Sequence, residues 1–280
     1  GVGTVTSKKT ADFRIDSSVI RVGADDGNGG NAELVIDKDV IIDAPNSYAV
    51  GTFGSKTTEI LDVKGTIRTD SIKAAISGNG QEQYKGTTIN IYDTAKIYAP
   101  NGAAIYHPQN GTLTISGGEI KGATGIQMCA GTLEITGNPK ITATNADQTM
   151  TENDGYIQDG AAISLVNRDY PGGAPTANIL GGTFVSEKAY AIKEYSFNNT
   201  AKTEDAWENA PRIVKGGTFS DLSALRYLAE TGDIDVNINI NKANSEFEAA
   251  GISIPGDINS NRNITIDLNG SKWIGTNSLT

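Results

Sequence analysis

The sequence predicts an all-β solenoid, and three observations carry that expectation. Residues 111–143, GTLTISGGEIKGATGIQMCAGTLEITGNPKITA, hold two copies of one short phrase; Leu113 and Ile115 of the first recur as Leu133 and Ile135 twenty residues later. Each copy has the grammar of strand, sharp turn, strand, sharp turn, strand. A unit this short cannot bury its own apolar face, so it must stack on a neighbour. The composition agrees: 33 glycines among 280 residues, with 38% apolar and only 6% aromatic residues, suit turns and β-branched stacking over a thin core.

The bulk numbers also exclude. A formal net charge of −10 disfavours nucleic acid, because phosphate contacts need clustered Lys and Arg. It also disfavours simple electrostatic attachment to anionic membranes. No apolar run has the length of a membrane span. One cysteine, Cys129, allows no internal disulfide. The chain opens at Gly1 rather than Met and shows no signal peptide, which reads as a processed or partial chain.

Residues 1–32 read as an N-terminal cap, with strand patterns at Phe13 and Ile15 and at Val19, Ile20 and Val22. Its turn-rich stretch 24–33 offers Asp25, Asp26 and Asn28 as candidate calcium ligands. Their spacing does not match an EF-hand loop, so a plain turn is the blander reading. Residues 33–220 carry the repeat. First strands are anchored at Ile36, Leu61, Ile91, Ile115, Ile135, Ile179 and Val214. Second strands take Ile42, Ile67, Ile97, Ile120, Ile141, Phe184 and Phe219, and third strands Val50, Ile76, Ile105, Ile126, Ile163 and Ile192. The first-to-second corner keeps five or six residues while the others vary, as expected when strands stack in register and loops grow outward. Gly-Gly pairs at 117–118, 181–182 and 216–217 supply the positive φ of a sharp corner.

Three insertions interrupt the repeat, at 144–160, 167–176 and 194–212, and are expected to crowd one end. They carry Tyr156, Tyr170, Tyr195, Phe197 and Trp207, the candidate ligand-binding aromatics; the bland alternative is that these rings pack the loops onto the ladder. Residues 221–280 read as a capping region. A helix over 221–232, with Asp221 as N-cap and Gly232 as C-cap, lays Leu222, Leu225 and Leu228 along one face and closes the ladder. Residues 234–240 alternate as a strand, 244–251 read as a second helical turn, and NITIDLNG at 263–270 resembles the start of a second, short solenoid segment.

The phrases GTLTISGGEIKG, ILGGTFVS, GGTFSDLSALRYLAE and NITIDLNG resemble right-handed parallel β-helix proteins of the pectate-lyase-like superfamily. They look most like those in surface proteins of gut bacteria and in phage fibre or spike proteins. The resemblance covers residues 30–220 and implies a right-handed parallel β-helix with short helical and strand caps. It leaves activity open, because that fold hosts lyases, hydrolases, adhesins and virion parts.

A lyase would require calcium-binding acids and a basic catalyst. Asp37, Asp62 and Asp93 read as a partial outer row without a basic partner at fixed spacing, hence as solvated face residues. A glycosidase needs two carboxylates about 5 to 9.5 Å apart; Glu152, Asp154 and Asp159 are the candidate acids, able to meet Glu204, Asp205 or Glu208 of the third insertion. His107, the only histidine, sits in IYHPQNG and reads as a turn or surface residue, and Cys129 as a buried filler. No nucleotide-binding glycine motif occurs. The expectation is therefore a non-catalytic structural or binding module, an adhesin, fibre or spike component on a bacterial surface or phage virion. Its partners would be glycans or other protein subunits, with self-association in keeping and no cofactor beyond the calcium candidate. The alternatives are a polysaccharide lyase or glycoside hydrolase working through loop carboxylates, or a plain spacer.

Overall fold

The computed structural model describes residues 3–6, 18–23, 31–53, 59–80, 86–146, 158–196, 207–241, 246–248, 252–270, 272–274 and 278–279. The chain is nearly all-β, and among the described residues every strand pairing is parallel. A first sheet of seven strands is built from Ala32–Ile36, Glu59–Val63, Thr87–Ile91, Gly111–Ile115, Thr132–Ile135, Thr176–Ile179 and Arg212–Val214. The second and third faces form one larger sheet, because Lys96–His107 and Glu119–Met128 run unbroken from one face to the other. The bend falls where the register shifts between Ala99 and Ala103.

The register explains the aliphatic spacing. On the second face Ile42, Ile67, Ile97, Ile120, Ile141, Phe184 and Phe219 lie in one inward column. On the third, Ile20 precedes Val50, Ile76, Ile105, Ile126, Ile163 and Ile192. Both columns were legible as periodic Ile and Phe. The first face differs at one point: Ile36 pairs with Val63, and Leu61 with Leu34. The anchor of that repeat is therefore Val63, and its corner to Ile67 is two residues shorter than the Leu61 reading implies. A slip of two keeps a side chain on the same face, so both residues are buried and the pattern could not separate them.

The corners follow from small residues. Gly118, Gly182 and Gly217 take φ of 87°, 106° and 121°, so the second glycine of each pair makes the left-handed bend. Where the second face meets the third, Ala49, Ala75, Ala104, Ala162 and Ala191 stand one residue before the Ile column and are fully buried. The aliphatic columns merge into one long core, which continues past residue 220. The ladder runs from Gly216–Phe219 to Ile234–Asn239 and on to Arg262–Asp267.

The segment after residue 220 is a 3-10 helix, Leu222–Tyr227, rather than an α-helix reaching Gly232. Asp221 caps it as expected, accepting from Ser223 N, and Leu222, Leu225 and Leu228 are buried. Asp221 also accepts from Ala191 N at 2.6 Å, and Ser223 Oγ from Ile192 N at 2.9 Å. These bonds hold the helix over the last third-face strand. The helical turn expected at 244–251 contains instead the strand Glu246–Glu248, paired with Lys272–Ile274.

Candidate functional site

The three faces differ in what lies outside them. On the first and second faces most outward side chains are half-buried or exposed, among them Thr88, Thr112, Thr132 and Thr176 on one and Lys96, Glu119 and Lys140 on the other. On the third face the outward column Ser77, Tyr106, Gln127, Ser164 is buried. A second apolar cluster forms there, outside the main core, from Tyr48, Ala74, Ala103, Tyr106, Cys129 and Val166, with Tyr170 and Tyr195 packed against it. Buried polar and aromatic groups concentrated on one outer face make this the candidate site.

Asp159 is its hub. The residue is fully buried. Its carboxylate accepts from Ser164 Oγ (2.6 Å), Tyr195 Oη (2.9 Å), Ala161 N (3.1 Å) and Thr124 Oγ1 (3.2 Å). Thr124 Oγ1 in turn accepts from the Asp159 and Gly160 amides. This carboxylate therefore clamps the end of the first insertion to the ladder, and Gln158 extends the clamp by donating to Asn101 O at 2.7 Å. A carboxylate so engaged acts as a structural acceptor.

The second insertion is a strap. Tyr170 Oη lies 3.1 Å from Tyr106 Oη, and the Arg168 guanidinium sits 5.5 Å above the Tyr170 ring. The Tyr170 ring approaches Gly80 closely and Gly172 lies against Asn110 and Ala130, before Thr176 rejoins the ladder with its amide on Gly131 O at 2.9 Å. The strap thus runs back over earlier repeats instead of crowding one end. Lys193 over Tyr195 (5.2 Å) and Lys73 over Tyr48 (5.6 Å) repeat the cation-on-tyrosine theme.

Of the candidate aromatics, Tyr170 and Tyr195 share this site. Trp207 does not: it packs on the main core, donates to Ser196 Oγ (3.2 Å) and stacks under Arg212 at 4.8 Å. Tyr156, Phe197, Glu152 and Asp154 lie outside the described residues, as do Asp25, Asp26, Asn28, Glu204 and Asp205; Glu208 is exposed. The proposed acid row dissolves in the register. Asp62 stands in a column with Val35 and Asn90, accepting from Asn90 Nδ2 (2.8 Å), while Asp37 bonds the Lys38 amide at its own corner. Among the described residues no group of three or more His, Cys, Asp or Glu is placed to hold a metal ion.

Burial sets the electrostatics. It raises the Tyr106 hydroxyl well above its ordinary value, reinforced by Cys129 and Tyr170, and it pushes the Cys129 thiol up. Cys129 is the buried filler expected. His107 is a correction: it ends a ladder strand, fully buried, and desolvation lowers it to about 4. Its position in IYHPQNG resembles a turn, but the ladder continues through it. Gln109, which the sequence left unmarked, is buried beside it and donates to Thr52 Oγ1 at 2.9 Å.

No protein-family model, curated protein or solved structure matches the chain.

Proposed function

We propose that the chain is a right-handed parallel β-helix of the pectate-lyase-like kind, serving as a non-catalytic binding and structural module on a bacterial surface or phage virion. Glycans or other protein subunits are its partners. The observation that carries the reading is the state of Asp159. The one candidate acid among the described residues is committed to four hydrogen bonds that fasten an insertion to the ladder. The tyrosines beside it keep half-buried rings at the surface while their hydroxyls are engaged, an arrangement suited to stacking a sugar or a partner side chain.

The test is a panel of bacterial and dietary polysaccharides, read for both binding and chain cleavage. Binding without cleavage, weakened tenfold or more by Tyr170→Ala or Tyr195→Ala, supports the proposal. Cleavage that vanishes in Glu152→Gln or Asp154→Asn overturns it in favour of a lyase or hydrolase. Silence in both readouts, with a monomer in sedimentation, removes the glycan-binding part.

A further inference from the structure

His107 faces inward, in the column of Met128 and Leu165, at the corner that the strap crosses on the outside. Its Nδ1 lies 3.2 Å from Ala130 O, and a carbonyl can only accept, so Nδ1 carries the proton and Nε2 is the bare nitrogen. That Nε2 is buried and has no hydrogen-bond partner among the described residues. The ring edge packs on Gly131, where an added Cβ would meet Cε1 at 3.0 Å. The strap rests on the same few residues. Gly172 covers Ala130 and Asn110, Tyr170 meets Tyr106, the residue before His107, and the strap ends where Thr176 N joins the ladder at Gly131 O.

We propose that His107 is an acid-sensitive latch: a proton taken up at Nε2 loosens the corner at residues 129–131 and frees the strap from the third face. The groups nearest the ring explain why. The Ala130, Thr87 and His107 carbonyls favour the charged form, and burial opposes and outweighs them. Tyr106, the preceding residue, and Cys129, whose amide donates to the His107 carbonyl, belong to the outer cluster on the far side of the strand from the ring. Glu59 neighbours the Thr87 column one repeat earlier. None of the three contributes to the shift, so among the described residues no counter-charge meets the imidazolium. The ring holds its proton below about pH 4 in the closed state and near 6.5 once exposed. Opening therefore gains up to roughly tenfold per pH unit between those values.

Cys129, the only cysteine, is buried in the cluster that Tyr170 covers, and so reports on the strap. Its reaction with 4,4′-dithiodipyridine, a reagent active in acid, is followed from pH 7 to pH 4.5. The rate rises at least tenfold in the wild type and stays flat in His107→Gln. An equal rise in the variant, or none in the wild type, overturns the latch. If His107→Gln does not fold, the wild type decides: its single imidazole, followed by proton NMR, must titrate well below 6.5 and together with thiol exposure. A midpoint at 6.5, or two separate transitions, sinks the proposal.

Discussion

Asp159 shows how one side chain can hold an insertion onto a ladder. Asp159→Ala would leave the Ser164, Tyr195 and Thr124 hydroxyls without their acceptor in a buried setting. A loss of about 3 kcal/mol is expected in urea unfolding. Asp159→Asn keeps the shape and one acceptor oxygen and should cost less. His107 makes a pH prediction of defined sign. Its folded value, about 4, lies below the unfolded 6.5, so the unfolded chain holds more protons between them. Its contribution is complete above pH 6.5 and is lost as the pH falls through 4, on the order of 3 kcal/mol in all. Carboxylates titrate in the same range, so the measurement is the difference in urea midpoint between wild type and His107→Gln across pH 7 to 4. At this scale the sequence was only partly legible. It singled out Asp159, Tyr170 and Tyr195, yet read His107 as a turn or surface residue, because burial at a corner depends on what distant repeats pack around it.

The corners and columns belong to the next scale. Gly217 has φ of 121°, and a Cβ there would meet Gly182 O and the rings of Phe184 and Phe219 at 3.1 to 3.3 Å. Gly217→Ala is expected to cost about 1–2 kcal/mol, checked by thermal unfolding, whereas Gly173→Ala, also at positive φ but with open space around it, should cost less. The Gly-Gly corners were visible in the chain because a left-handed bend is a local demand. The alanine column at the second-to-third corner was not visible, since isolated alanines in a strand pattern carry no periodic signal. The 3-10 segment shows the same division: its cap was readable from Asp221, its length was not. Bonds to Ala191 and Ile192 fix it in a tight form over the ladder.

Across the whole molecule, stability follows the stacked columns. Phe184 and Phe219 stack at 4.7 Å with an interplanar angle of 14°, continuing the column that runs from Val5 through Ile42. Truncation in the middle of the stack removes contacts on both sides, so Ile126→Ala should cost about 3 kcal/mol. Val5 opens its column and is 45% exposed; Val5→Ala should cost well under 1 kcal/mol. Denaturant midpoints of the two variants test this gradient, and equal losses would mean that the described ends are packed as tightly as the centre.

The sequence by itself determined the parallel stacking, the inward columns and the glycine corners. Strand period, β-branched packing and positive φ are written into each short segment and repeated from one to the next. Only the tertiary structure decided which outer face is covered, that Asp159 is buried and accepts four hydrogen bonds, that the strap lies back over earlier repeats, and that His107 is dry. Those facts depend on contacts between residues dozens of positions apart, such as Thr124 with Asp159 and Tyr106 with Tyr170, for which no local pattern exists.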